Sequence, residues 1–190
     1  MSETGGAFLD LFATASLIGR YRYVELSLAA LTGARAAAGT PPLASFLSGA
    51  SGAHSWRAGL FEERLPVSAG LPDAGACTAS PGPALERALD VLGTCEEAAL
   101  VASLVEDLYP AMLASWRAHA AAASPLADAP VLRMLRRTSD DLAAVRAEGA
   151  ALLAATSFTG AASRPALGEL LAEDGPFGRL FASSPAPRDA

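Results

Sequence analysis

Lysine does not occur in this chain. All 14 basic residues are arginine, set against 20 acidic ones, for a net charge of −6 and a pI near 4.9. Binding a nucleic-acid backbone needs a clustered basic face, and here the arginines are scattered, so no nucleic-acid partner is expected. Arg133, Arg136 and Arg137 form the one cluster, on about one turn of an expected helix, and read as a solvated face. Cysteine is nearly as scarce. Cys77, in an expected loop, and Cys95, at an expected helix start, give neither zinc spacing nor a disulfide framework and read as free thiols. Long apolar runs are missing as well: none approaches the ~20 residues of a membrane span, and the N-terminal Met-Ser-Glu-Thr-Gly-Gly lacks the basic region of a signal peptide. A cytoplasmic protein with no membrane partner is expected. Aromatic residues make up 6% although hydrophobic residues make up 52%, so Ala and Leu supply most of the apolar surface. Both are strong helix formers, which favours an all-α fold. No Gly-x-Ser-x-Gly elbow and no glycine loop for phosphate occurs, and Ser51 and Ser55 have no supporting motif as nucleophiles.

What is present is helical periodicity across one domain of 190 residues, with 1–6 and about 182–190 expected to be flexible. From about Ala7 to Ala38 an amphipathic stripe runs through Phe8, Leu11, Phe12, Ala15, Ile18, Tyr21, Arg22, Glu25 and Leu28. Gly39 ends this helix, and Thr40-Pro41 starts a second, which reaches about Arg64 and stops at Pro66. Val67 to Pro83 has no periodicity and is long enough to cross one end of a bundle or to act as a lid. A short helix from Ala84 to Leu92 ends at Gly93, and Thr94 with Glu97 reads as a capping box opening a third long helix. That helix runs to about Ala123, with Pro110 expected to kink it. Ser124-Pro125 and Asp128-Ala129-Pro130 signal the start of a fourth, from about Val131 to Ala155. A last short helix is expected over Pro165 to Glu173, then an apolar patch at Phe177, Leu180 and Phe181 that could cover the core or a second copy in a homodimer. Four long helices joined short, long and short describe an up-down bundle with one long crossover.

Polar chemistry concentrates on the inward faces of these helices. His54 lies at helical spacing from Phe46, Leu47, Ala50, Arg57, Ala58 and Phe61, which turns it inward, where an imidazole must find a partner. Glu25 and Arg22 fall inside the stripe of the first helix, and Asp141 inside that of the fourth. A buried network can satisfy them, Glu25 with Arg22 or Arg57 and His54 with Asp141. The other histidine, His119, is expected to be exposed near a helix C-terminus, where a cation suits the helix dipole.

The layout, with Tyr-Arg-Tyr-Val-Glu in the first helix, His-Ser-Trp-Arg-Ala-Gly-Leu-Phe-Glu-Glu-Arg-Leu-Pro in the second and Ser-Pro-Leu-Ala-Asp-Ala-Pro before the fourth, resembles ferritin-like four-helix bundles, in particular small bacterial members. In metal-binding members of that superfamily two helices each give a carboxylate and two each give a Glu-x-x-His pair. The resemblance implies that Glu25, His54 and Glu106, or its neighbour Asp107, occupy ligand positions. Ser51 stands where a bridging glutamate belongs, and Ala144 stands three residues after Asp141, so the ligand set is degenerate. A metal-free bundle is therefore expected, an iron-dependent oxygenase with a reduced ligand set being the alternative. The former metal chamber would then be an apolar pocket for a small-molecule substrate, walled by Phe12, Tyr21, Tyr23, Phe46, Trp56, Phe61, Tyr109, Met112 and Trp116, with Glu106 and Asp141 as further contacts. His54, Glu25, Arg57 and Tyr21 are the candidate catalytic residues for cofactor-free acid/base chemistry such as cyclisation, isomerisation or dehydration. A non-catalytic ligand-binding or structural bundle is the third expectation.

Overall fold

The computed structural model describes residues 9–155, 165, 167–172 and 175–177. Leu180, Phe181 and both expected flexible ends lie outside them. Among the described residues every regular element is helical, as the Ala- and Leu-rich composition requires. Helix α1 spans Leu11–Ala36 and α2 spans Pro41–Glu62; Asp10 caps α1 by accepting from the Ala13 N–H at 2.7 Å. A four-residue link makes α1 and α2 antiparallel neighbours, and they share the largest interface of the molecule. The crossover carries a one-turn helix, α3 (Ala74–Cys77), capped by Asp73, where no periodicity announced one. Then come α4 (Pro83–Thr94) and α5 (Glu97–Ser103), a π-helical turn (Leu104–Leu108), α6 (Tyr109–Ala122), α7 (Ala129–Ala155) and α8 (Leu167–Leu171).

The stretch Glu97–Ala122 is one continuous helical rod, long and apolar enough by length and composition to cross a membrane. Its apolar row is spent inside the protein: Leu100, Leu104, Leu108, Met112 and Trp116 are all 0% exposed. Pro110 was expected to kink this rod. The helix takes a π turn just before it, in which the Tyr109 N–H bonds to the Leu104 carbonyl one residue farther back than in an α-helix. The Val105 carbonyl loses that donor, and Arg146 of α7 replaces it, its Nε donating at 2.9 Å.

Two local expectations are corrected. Thr94 does not cap the third long helix; its hydroxyl bonds back to the Asp90 and Val91 carbonyls, and Glu96 holds the cap position. Glu97 instead serves another helix, accepting from the Thr40 N–H at 2.9 Å and the Thr40 hydroxyl at 3.1 Å, where α2 begins. A carboxylate there meets the positive end of the α2 dipole, which a three-residue sequence pattern cannot reveal. Ser124 and Asp128 behave as expected, closing a turn before α7. Gly149 is where α7 comes closest to its neighbours, since a Cβ there would stand 2.6 Å from Val105 Cγ2 and 2.7 Å from Phe46 Cζ.

Candidate functional site

Glu25 on α1, His54 and Arg57 on α2, Tyr109 at the start of α6 and Asp141 on α7 meet between the helices. The first three and Tyr109 are 0% exposed, while the Asp141 side chain keeps about a third of its surface. Helical spacing explains the inward aim: His54 and Arg57 are three apart on one face of α2, and Glu25 shares its face of α1 with Tyr21, Leu28 and Thr32, all buried.

His54 Nδ1 lies 2.6 Å from Glu25 Oε2. A neutral imidazole can approach a carboxylate that closely only with a proton between them, so Nδ1 carries the hydrogen and donates it. Nε2 is then a lone pair, and it accepts from the Tyr109 hydroxyl at 3.0 Å. Arg57 donates through Nε to the second Glu25 oxygen at 2.9 Å, and through Nη1 to Asp141. Its Nη2 stands 2.7 Å from His54 Nδ1, a positive charge beside the ring. Burial pulls the His54 pKa below its ordinary value; Glu25 opposes this and Arg57 adds to it. Burial pushes the Glu25 carboxyl up, but Arg57 and His54 together outweigh it and hold the group below the usual carboxylate range. Burial likewise drives the Tyr109 hydroxyl well above its ordinary pKa. At neutral pH the cluster thus holds a carboxylate, a guanidinium, a neutral imidazole and a phenol.

Glu25 takes Arg57, one of its two expected partners, while the expected His54–Asp141 pair is not formed. Arg57, not His54, takes Asp141. Arg22 turns outward to Glu62 at 3.0 Å and the Thr78 hydroxyl at 2.6 Å, tying α1 to the end of α2 and to the crossover. Ser51, at the position of a missing ligand, bonds the Ala29 carbonyl at 2.8 Å and fastens α2 to α1. Tyr21 is buried in a different cluster, with Phe61, Trp116 and Phe177, and its hydroxyl reaches His119 Nδ1 at 3.1 Å. His119 was expected at the surface and is 1% exposed. Of the expected pocket wall, Phe46, Phe61, Tyr109, Met112 and Trp116 are core, whereas Phe12 is 57% and Trp56 39% exposed and Tyr23 is half-buried. Glu106 is exposed. Arg146 and the π turn escaped the sequence reading, and Pro110 was the one signal that could have pointed to them.

The donor set does not fit a metal ion. Arg57 occupies an oxygen of both carboxylates, and among the described residues no group of three or more His, Cys, Asp or Glu side chains is disposed to hold one. Among the described residues, two surface grooves stand out, and neither is lined by His54, Glu25 or Arg57. One, of about 340 Å³, runs under the crossover between Leu65 and Cys77; the other, of about 170 Å³, lies between α2 and α7. No protein-family model, curated protein or solved structure matches the chain.

Proposed function

We propose that the chain is a ferritin-like four-helix bundle without a metal centre, in which the His54 cluster locks the four long helices together and any ligand binds elsewhere, without catalysis. The single observation that carries this reading is the mutual saturation of the cluster: both Glu25 oxygens and both His54 nitrogens already have partners inside the protein, at 0% exposure. An acid or base engaged on every side has no lone pair or proton to offer a substrate. Its five members come from four helices, α1, α2, α6 and α7, so the hydrogen bonds to Glu25, Tyr109 and Asp141 each fix one helix against another. We place such a protein in the cytoplasm, as a monomer or a homodimer, with a small molecule rather than nucleic acid or membrane as its partner.

The test is replacement of the charged set by apolar side chains, Glu25→Leu, His54→Phe, Arg57→Met and Asp141→Leu together. A purely structural network can be exchanged in this way at little cost or with a gain. The expected product is a folded protein melting within a few degrees of the parent. Direct contact between a bound small molecule and His54, seen as a shift of its ring resonances on titration, would sink the reading.

Acid/base catalysis in an interhelical pocket is the second reading, favoured by two specific features. A π turn immediately precedes Tyr109, the residue that holds His54 Nε2, and such turns gather at functional sites. Asp141 also reaches the surface, giving the cluster one solvent-facing edge. On this reading a substrate displaces the Tyr109 hydroxyl from Nε2, and Glu25 holds the imidazole as a base. His54→Ala and Glu25→Gln should then each lower turnover by about a hundredfold or more; unchanged turnover in both variants excludes it.

A further inference from the structure

The groove between α2 and α7 brings together the arginines that the sequence scatters. Arg64 comes from just beyond the C-terminal end of α2, and Arg133 and Arg137 from the first three turns of α7; Leu60, Pro130 and Met134 supply the floor, and Glu63 is the one carboxylate in the lining. The charge balance is lopsided. Three guanidiniums face one carboxylate, in a protein of net charge −6. The described ion pairs involve Arg22, Arg57 and His54, and none joins Arg64, Arg133 or Arg137 to an acid. Arg137 is held over the Trp56 ring, 4.8 Å from its centroid, which orients the guanidinium and leaves its N–H groups free of a carboxylate.

We propose that this groove is a binding site for a small multivalent anion, a phosphorylated or polycarboxylate metabolite, held by Arg64, Arg133 and Arg137. Guanidiniums supply forked donors that match both kinds of oxyanion. A volume of about 170 Å³ corresponds to roughly five waters, room for one phosphate-bearing or tricarboxylate group but not for a polymer. The net negative charge repels anions at long range, so binding here rests on the local arginines and is weakened by salt. The inference does not depend on whether the His54 cluster is structural or catalytic.

Titration of the full chain with pyrophosphate and, separately, with citrate at low ionic strength tests it, read by tryptophan emission and by calorimetry. Trp56 is 39% exposed and stacked on Arg137, whereas Trp116 is fully buried, so a change arising at the groove belongs to Trp56. The expected result is saturable binding of at least one probe, weakened about tenfold by Arg133→Gln and by Arg64→Gln, and unaffected by Arg87→Gln on exposed α4 surface. The stronger probe identifies the ligand class. Saturable binding of neither, or equal weakening by Arg87→Gln and Arg133→Gln, overturns the proposal. All three arginines are exposed, so their substitution should leave the fold intact, which the circular dichroism spectrum and Tm verify.

Discussion

His54 and His119 are both buried, and the protein treats them in opposite ways. His54 stands among charges, with Glu25 on one nitrogen, Tyr109 on the other and Arg57 beside it. His119 stands against the Tyr21 ring and shares a hydrogen bond between Nδ1 and the Tyr21 hydroxyl, and Tyr21 in turn packs on Trp116, Phe61 and Phe177. Around His54 both ring nitrogens, both Glu25 oxygens and the Tyr109 hydroxyl have partners. In the aromatic cluster the Trp116 indole N–H is buried with no partner among the described residues. Burial lowers both pKa values, taking His119 to about 4 with only Asp128 opposing, whereas Glu25 opposes the shift at His54 directly. A buried histidine beside a carboxylate is oriented; one beside a phenol is merely neutral.

The largest difference should appear on breaking each cluster. Arg57→Met leaves Glu25 buried without its guanidinium and should cost about 3–5 kcal/mol in urea denaturation, the penalty of an uncompensated internal charge. Tyr21→Phe removes only a neutral donor from His119 and should cost about 1–2 kcal/mol. Equal costs would erase the distinction between a charged and an uncharged cluster.

Acid loads both histidines in the same sense, since both pKa values are lowered, and the charged cluster adds a carboxylate to the balance. A histidine whose folded pKa lies below its unfolded value binds fewer protons when folded, so stability rises with pH between the two values. For His119 the full stability is present above about 6.5 and is lost as pH falls to about 4, on the order of 3 kcal/mol. Glu25 is a depressed carboxylate, so its contribution is intact above its ordinary value and fades only at lower pH, as the acid reaches its folded pKa. His119→Gln keeps an acceptor for Tyr21 and does not titrate. Its stability should be flatter than the parent's between pH 6.5 and 4, while the steeper loss at lower pH remains. A slope unchanged by that variant would assign the titration elsewhere.

The all-helical fold was legible because each long helix announces itself: Thr40-Pro41 and Asp128 mark starts, and apolar spacing marks the inward faces. The same spacing placed Glu25, His54, Arg57 and Asp141 toward one centre. It did not choose partners among them. Periodicity fixes rotation about a helix axis, but partner choice depends on how far neighbouring helices slide and turn against each other. Thus Asp141 was expected on His54 and lies on Arg57, and Tyr21 was grouped with His54 but bonds a histidine 98 residues away. His119 illustrates the same limit, since Tyr21 of α1 packs on it from another helix. Glu97 capping α2 and Arg146 satisfying the π turn are likewise tertiary choices.

The outer edge of the charged cluster offers the smallest and most discriminating change. Asp141 accepts from Arg57 with a third of its side chain in solvent, so water can take over much of its role. Asp141→Asn keeps an acceptor oxygen and removes one charge, and should cost below about 1 kcal/mol by urea denaturation. Glu25 still faces Arg57 in that variant, so the inner part of the network stays paired. A loss matching that of Arg57→Met would mean that the cluster is sealed out to Asp141. The contrast with the aromatic cluster would then be one of charge alone and not of access to water.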